Sequence, residues 1–254
     1  VLDFENPPDM DVEGARVFRE SIGLEPDDRM ILQPTRIIQR KGIEHAIELV
    51  KKLNDPRNKL VVSHEAGDEG FEYVEWLKEY ACEHGVNLRL ITTKIADPWG
   101  NNGNGKAKYS LWDVYPFADF ITYPSLYEGF GNAFLEAIYF KKPLLVNRYA
   151  TFVRDIEPQG FDLIAMNGFL SRKIVQSVIE ILESAEKKNK MTNYNYDVAA
   201  RHYSYSILRT RLNAILSYFF GDSVKPISGK TSVLKQEGDT YPFRLAEKTA
   251  QQSY

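Results

Sequence analysis

The chain has 254 residues, of which 43% are hydrophobic and 26% charged, so it is long enough to bury one large core or two small ones. Its net charge of −3 argues against a general nucleic-acid-binding surface, and its single cysteine, Cys82, excludes an internal disulfide and favours a cytoplasmic location. No apolar run approaches the roughly 18–20 residues of a transmembrane segment, and the start of the chain lacks a signal-peptide pattern.

Residues 1–28 are interpreted as an acidic lead-in or interdomain segment with one short helix around Val12–Ile22. From residue 30 onwards, short apolar strands alternate with amphipathic helices. The predicted strands are Met30–Leu32, Leu60–Val62, Leu88–Ile91, Phe120–Tyr123, Leu144–Val146 and Asp162–Ala165. The predicted helices are 43–53, Phe71–Glu83, a short one at Leu111–Tyr115, Ala133–Phe140, one capped by Ser171, Tyr196–His202 and Tyr205–Phe219.

Strands that are apolar throughout and alternate with helices predict a parallel sheet with helices on both faces. The predicted fold class is therefore α/β, a doubly wound Rossmann-like sheet whose ligands bind at the carboxyl ends of the strands. We assign this domain to residues 29–220. Residues 221–254 are polar without a sustained period and are interpreted as a C-terminal tail, either loosely ordered or packed on a neighbouring domain.

A basic loop, Pro34–Gly42, follows the first predicted strand and precedes a helix. Arg36 and Lys41 lie in this loop, where a guanidinium fork and an ammonium point charge would converge on a phosphate. A solvated basic loop is the alternative for such a segment taken alone. Its position at the ligand-binding edge of the sheet favours phosphate binding.

The second candidate loop follows the strand Phe120–Tyr123 and contains Glu128, Gly129 and Gly131 before a helix that begins near Asn132. Such a loop presents free backbone N–H groups, and glycine lets the backbone approach a ligand closely. A second carboxylate, Glu136, follows within the helix, and paired carboxylates accept hydrogen bonds from sugar hydroxyls. A helix-capping loop with one acidic residue near the helix dipole explains Glu136, but not Glu128 with both glycines.

Together these segments resemble the donor-binding, C-terminal half of retaining glycosyltransferases with the GT-B fold, of the group 1 or family four type. The resemblance depends on Arg36 with Lys41-Gly42 and on Pro124–Ala137, which is similar to the family's Glu-x7-Glu motif. It extends from about residue 30 to about residue 219. The expected activity is transfer of a hexose from a nucleotide sugar.

The resemblance also implies a role for each site residue. Arg36 and Lys41 would hold the diphosphate, and Glu128 would bind the transferred sugar. The ribose would be bound by Glu136, and the base would lie near Thr92 and Lys94. The donor would also meet Gly129 and the N–H groups of Phe130, Gly131 and Asn132.

The resemblance further implies that this chain is half of a longer enzyme, because a GT-B enzyme has two such domains and the acceptor binds mainly to the N-terminal one. The expected partners are a UDP-, GDP- or ADP-sugar and the missing N-terminal domain. No cofactor or metal ion is expected. The chain departs mildly from the family at Thr35-Arg36, where Gly-Arg is common.

Three alternatives are considered. Residues 100–107 nearly match a phosphate-binding P-loop, but Ala107 stands where Ser or Thr should bind magnesium, and no strand leads directly into Gly100. Asp9-Met10-Asp11 has metal-binding spacing but lies in the lead-in. The remaining alternative is a non-enzymatic module that binds a sugar nucleotide or another phosphorylated metabolite.

Overall fold

The computed structural model describes residues 2–7, 12–64, 71–91, 112 and 114–221. Several predicted features lie outside the described residues: Asp9–Asp11, Thr92 and Lys94, the Asp97–Lys108 loop with its P-loop-like sequence, and nearly all of the 221–254 tail. The chain divides into two compact units, residues 1–207 and residues 208–254.

Six parallel strands and seven α-helices make up the described part of the chain. The strands are β1 (Arg29–Gln33), β2 (Asn58–Val62), β3 (Leu88–Leu90), β4 (Phe120–Tyr123), β5 (Leu144–Asn147) and β6 (Ile164–Met166). The helices are α1 (Val12–Ser21), α2 (Ile43–Leu53), α3 (Phe71–Glu83), α4 (Asn132–Tyr139), α5 (Arg172–Glu183), α6 (Ala185–Tyr203) and α7 (Tyr205–Phe220).

The strands form one sheet in the order β3-β2-β1-β4-β5-β6, and every neighbouring pair is parallel. Ile31 in β1 lies opposite Leu60 on one side and Phe120 on the other, which fixes the register at the centre. This is the doubly wound order, in which the chain reverses its direction of winding between β1 and β4. The predicted fold class is confirmed.

Successive side chains of the central strands pack on opposite faces of the sheet, as the two-residue period of a strand requires. Leu32 and Ile121 are buried with residues of α1 and α4, whereas Ile31 and Phe120 are buried with residues of α2 and α5. Because both faces are covered, all four of these side chains are almost inaccessible to water. This explains the uninterrupted apolar runs in the sequence.

Most of the predicted elements agree with the observed bounds to within two residues, and Ser171 caps α5 by accepting a hydrogen bond from the Ile174 N–H at 3.3 Å. Helix α6 is the largest difference. It begins at Ala185, capped by Ser184, rather than near Tyr196. Its first turns are mostly charged and polar, so they show no apolar period, and the helix there depends on capping and on residues with good helix propensity.

Gly42 brings the loop after β1 against the loop after β4. Its φ of 63° lies in the left-handed region, and a Cβ at this position would lie 2.6 Å from the Pro124 carbonyl oxygen. Two residues earlier, the Arg40 carbonyl accepts a hydrogen bond of 2.8 Å from the Leu126 N–H. The two loops are thus joined through backbone contacts that only glycine permits.

We expect Gly42→Ala to lower the free energy of unfolding by roughly 1–3 kcal/mol more than Gly85→Ala does, because the new methyl group must displace Pro124. Gly85 is the matched control, since it also has a positive φ, 66°, but has open space where a Cβ would be added. Urea unfolding of the two variants measures the difference. Equal losses of free energy of unfolding in Gly42→Ala and Gly85→Ala would contradict the close approach of the two loops.

Candidate functional site

The candidate site lies at the carboxyl ends of β1 and β4, where the direction of winding reverses. A buried polar network connects the two strands beneath it. Gln33 donates to the Thr35 hydroxyl at 3.0 Å and to the Lys41 carbonyl at 3.2 Å, and Thr122 donates to the Gln33 amide oxygen at 2.7 Å. Because Gln33 and Thr122 have no solvent exposure, these bonds fix the start of the basic loop against β4.

The carboxylate of Glu128 binds two cations from the basic loop. One carboxylate oxygen accepts a hydrogen bond from the Lys41 ammonium, and the other lies 3.2 Å from an Arg40 guanidinium nitrogen. The Glu128 side chain is 9% exposed and that of Lys41 is 11% exposed, so the ions are largely shielded from water. We call Arg40, Lys41 and Glu128 the Glu128 cluster.

Two opposing effects act on the pKa of Glu128. Burial raises it, but the surrounding hydrogen-bond donors, of which Lys41 has the largest effect, together with the positive charge of Lys41 outweigh burial and hold the pKa below its ordinary value. The Tyr123 ring lies under the same ammonium, 5.7 Å from the nitrogen. Burial, followed by the negative charge of Glu128, raises the pKa of Tyr123. The cluster therefore holds an ionised carboxylate beside a neutral phenol.

Glu136 lies in a different environment, on the second turn of α4. The Tyr115 hydroxyl donates to one of its carboxylate oxygens at 2.7 Å. Tyr115 is fully buried, and its ring stacks on Phe140 with the ring centres 5.3 Å apart. Burial raises the pKa of Glu136, and the hydrogen bond from Tyr115 only partly offsets this. The second carboxylate thus has a neutral partner instead of a cation.

Gly131, the residue before α4, is enclosed by two tyrosines. Its φ is 101°, and a Cβ would lie 2.7 Å from the Tyr149 hydroxyl and 2.9 Å from the Tyr123 hydroxyl. The Tyr149 hydroxyl also donates to the Phe130 carbonyl at 2.7 Å. Among the described residues, the N–H groups of Phe130, Gly131 and Asn132 have no hydrogen-bond acceptor, as expected at the start of a helix. Gly129, in contrast, has open space around it.

The structure brings the predicted residues Lys41 and Glu128 into direct contact across 87 positions of sequence. Arg36 lies in the same loop with an exposed side chain, and its charge acts on Lys41. Arg40 and the hydroxyls of Tyr115 and Tyr123 are additional members of the site that the motif analysis missed. Arg40 is adjacent to Lys41 in sequence, which is the one signal that pointed to it.

Two further features of the described residues bear on other kinds of function. Within the described ranges, no group of three or more His, Cys, Asp and Glu side chains is placed to hold a metal ion. Over the same residues, none of the helices has the length and apolar character needed to cross a membrane.

Comparison with known families identifies the chain. Residues 15–198 match the family described as glycosyl transferases group 1, which is most of the sequence. The chain belongs to this family.

Curated relatives agree with this assignment. Mannosylglucosylglycerate synthase of Thermotoga maritima is 30% identical over 85% of this chain and 54% of its own length. The enzyme of the same name from Petrotoga mobilis is 38% identical over 58% of this chain and 37% of its own length. This glycosyl transferase chain therefore spans about half or less of the length of the curated relatives it matches.

Solved structures share the fold at low sequence identity. HepE of Anabaena, in complex with UDP-glucose, superposes with a TM-score of 0.69 at 13% identity, covering 85% of this chain and 56% of HepE. The C-terminal domain of the group 1 glycosyl transferase LpcC from Francisella tularensis superposes with a TM-score of 0.60 at 18% identity. That domain is matched over its whole length, by 81% of this chain.

We expect Glu136→Gln to raise the free energy of unfolding at pH 7. The raised pKa means that the folded protein binds the Glu136 proton more tightly than the unfolded chain does. The stabilisation from this group is therefore fully present below its ordinary pKa of 4.5 and is lost as pH rises through the raised value. Urea unfolding of Glu136→Gln and wild type should show that the variant's gain in free energy of unfolding is smaller at pH 5 than at pH 7.

Tyr115→Phe is the matched control for this prediction, because it keeps the buried carboxylate and removes only its donor. We expect it to lower the free energy of unfolding at pH 7 by about 1–3 kcal/mol, the usual cost of an unsatisfied buried group. A loss of stability in Glu136→Gln at pH 7 would show that the carboxylate is not under a burial penalty.

Proposed function

We propose that this chain is the donor-binding part of a retaining glycosyltransferase that transfers a hexose from a nucleotide diphosphate sugar. The observation that carries the proposal is the Glu128 cluster, with Glu136 eight residues further along the same segment. The two cations and the Glu128 carboxylate meet at the carboxyl ends of β1 and β4, where the direction of winding reverses, and this is the position at which doubly wound folds bind their ligands. Family membership supports the same reaction class.

Each part of a nucleotide sugar has a chemically matched group in this proposal. Arg36 and Lys41 bind the diphosphate and offset the negative charge that develops on it as the bond to the sugar breaks, so the mechanism uses protein cations in place of a metal ion. Glu128 accepts hydrogen bonds from the transferred sugar, and Glu136 accepts them from the ribose. The N–H groups of Phe130, Gly131 and Asn132 assist near the sugar. Thr92 and Lys94 contact the base.

The relatives' names guide the choice of donor. Because two of them are mannosylglucosylglycerate synthases, a mannosyl donor is the first to test, and the UDP-glucose held by HepE makes a glucosyl donor the second. The acceptor belongs to the rest of a longer protein in this proposal.

Helix α7 supports the idea of a further domain. Its apolar side chains Leu208, Leu212 and Ile215 follow helical spacing and are exposed, so they form an apolar stripe suited to packing on protein. We propose the N-terminal half of the enzyme as the domain that provides this packing. The cytoplasmic location stays a prediction from the sequence.

Isothermal titration calorimetry of the 254-residue chain with UDP, GDP and ADP, and with their glucose and mannose esters, tests donor binding. We expect one nucleotide to bind and Lys41→Ala to weaken it by about tenfold to a hundredfold, the usual range for a lost hydrogen bond to a charged group. Glu136→Ala should weaken the binding of a ribonucleotide more than that of the corresponding 2′-deoxyribonucleotide, which lacks one of the two ribose hydroxyls.

The surface variants Lys78→Ala and Glu75→Ala are suitable controls, because these residues form an exposed pair on α3. They should bind like wild type. Donor binding by the full-length protein without transfer to any sugar acceptor would favour the non-enzymatic module. Binding of no nucleotide sugar, or unchanged binding in both site variants, would rule out the proposed function.

A further inference from the structure

The carboxylate of Glu128 is paired with two cations. Lys41 and Arg40 contact different oxygens of Glu128, so the cluster carries a net charge of +1. If a ligand drew one cation away, Glu128 would still have a partner. This matters because leaving a shielded charge without any partner costs several kcal/mol.

The two cations differ in the number of their other partners. Arg40 also donates to the Tyr127 carbonyl at 3.2 Å, and its guanidinium lies 5.3 Å from the centre of the Tyr127 ring. The Arg40 carbonyl also accepts a hydrogen bond of 2.8 Å from the Leu126 N–H. Arg40 is therefore joined to the loop after β4 through both its side chain and its backbone. The Lys41 ammonium meets only Glu128 and the Tyr123 ring among the described residues.

Moving Lys41 away from Glu128 therefore breaks an ion pair and a ring contact, whereas moving Arg40 breaks an ion pair, a ring contact and a hydrogen bond to the Tyr127 carbonyl. Lysine is also the more adaptable cation, because its ammonium is a point charge on a flexible stem. We propose that Arg40 is a positioning residue that keeps the Glu128 carboxylate oriented toward the sugar after the donor's diphosphate has taken Lys41. This inference rests on the proposed function.

The exchange has a specific consequence for binding. Once Lys41 binds phosphate, the carboxylate oxygen that it leaves is free to accept a hydrogen bond from a sugar hydroxyl, while Arg40 retains the other oxygen. Arg40 acts through Glu128 and contacts neither the phosphates nor the sugar. It should therefore matter for the sugar part of the donor and not for the nucleoside diphosphate alone.

The test compares the affinities of a nucleoside diphosphate and its sugar ester, using the nucleotide that the wild-type chain binds. For Arg40→Gln we expect about a tenfold loss for the sugar ester, equivalent to about 1.4 kcal/mol, and less than a twofold change for the bare diphosphate. Lys41→Ala should weaken the binding of both the nucleoside diphosphate and its sugar ester. Arg40→Lys should recover part of the loss, because it restores the positive charge.

A double-mutant cycle separates positioning from a general structural effect. In a Glu128→Gln background, Arg40→Gln should cause little further loss of sugar-ester affinity, because the partner through which Arg40 acts is gone. Arg57→Gln, at an exposed guanidinium that pairs with Asp55, is the control for loss of a surface arginine and should leave both affinities unchanged.

Three outcomes overturn the inference. Equal losses for the two ligands in Arg40→Gln would mean that Arg40 binds phosphate itself. Unchanged affinities for both would mean that Lys41 or another group positions Glu128. Additive losses of sugar-ester affinity in the Arg40→Gln, Glu128→Gln double variant would mean that Arg40 acts independently of Glu128. Absence of nucleotide binding in the wild-type chain is a distinct result, which removes the proposed function and this inference with it.

Discussion

The parallel pairing of β1 with β4 at the centre of the sheet is the constraint on which the site depends. The chain leaves these strands toward helices on opposite faces, α2 after β1 and α4 after β4, so the two loops run in different directions from the same edge of the sheet. Gly42 limits how far they diverge, because only a residue without a side chain allows the basic loop to lie against the Pro124 carbonyl. That contact, with the Gln33 network beneath it, brings Lys41 within reach of Glu128.

An ion pair in a binding crevice has two effects on a ligand. It keeps both charges partnered while the site is empty, which limits the cost of holding them away from water. It also opposes binding, since the ligand must displace one ion of the pair before it can bind to the other. The second cation on Glu128 reduces this opposition. In the proposed exchange, a carboxylate with two cations would keep one partner when the other moves to a phosphate.

The sequence predicted the sheet well, because a strand buried on both faces is an uninterrupted apolar run, as in Phe120–Tyr123. It also located the two loops that contain Lys41 and Glu128. It did not predict their contact, which depends on the order of strands. The tyrosines were missed for another reason: the rings of Tyr115 and Tyr123 are buried, so their sequence positions are those of ordinary core residues, and only the direction of each hydroxyl reveals a polar role. The start of α6 was missed because its charged first turns have no apolar period.

The two carboxylates of the Glu-x7-Glu segment have opposite electrostatic environments. Glu128 is paired with cations and its pKa is lowered, whereas Glu136 has a phenol as its partner and its pKa is raised. Such a divergence often separates an ionised group from a general acid. Here Glu136 accepts its hydrogen bond from a fully buried hydroxyl, and a carboxylate already engaged in this way presents its other oxygen in a fixed direction. A fixed acceptor suits the role proposed for Glu136 at the ribose, while a carboxylate with two cationic partners suits the role proposed for Glu128 at the transferred sugar.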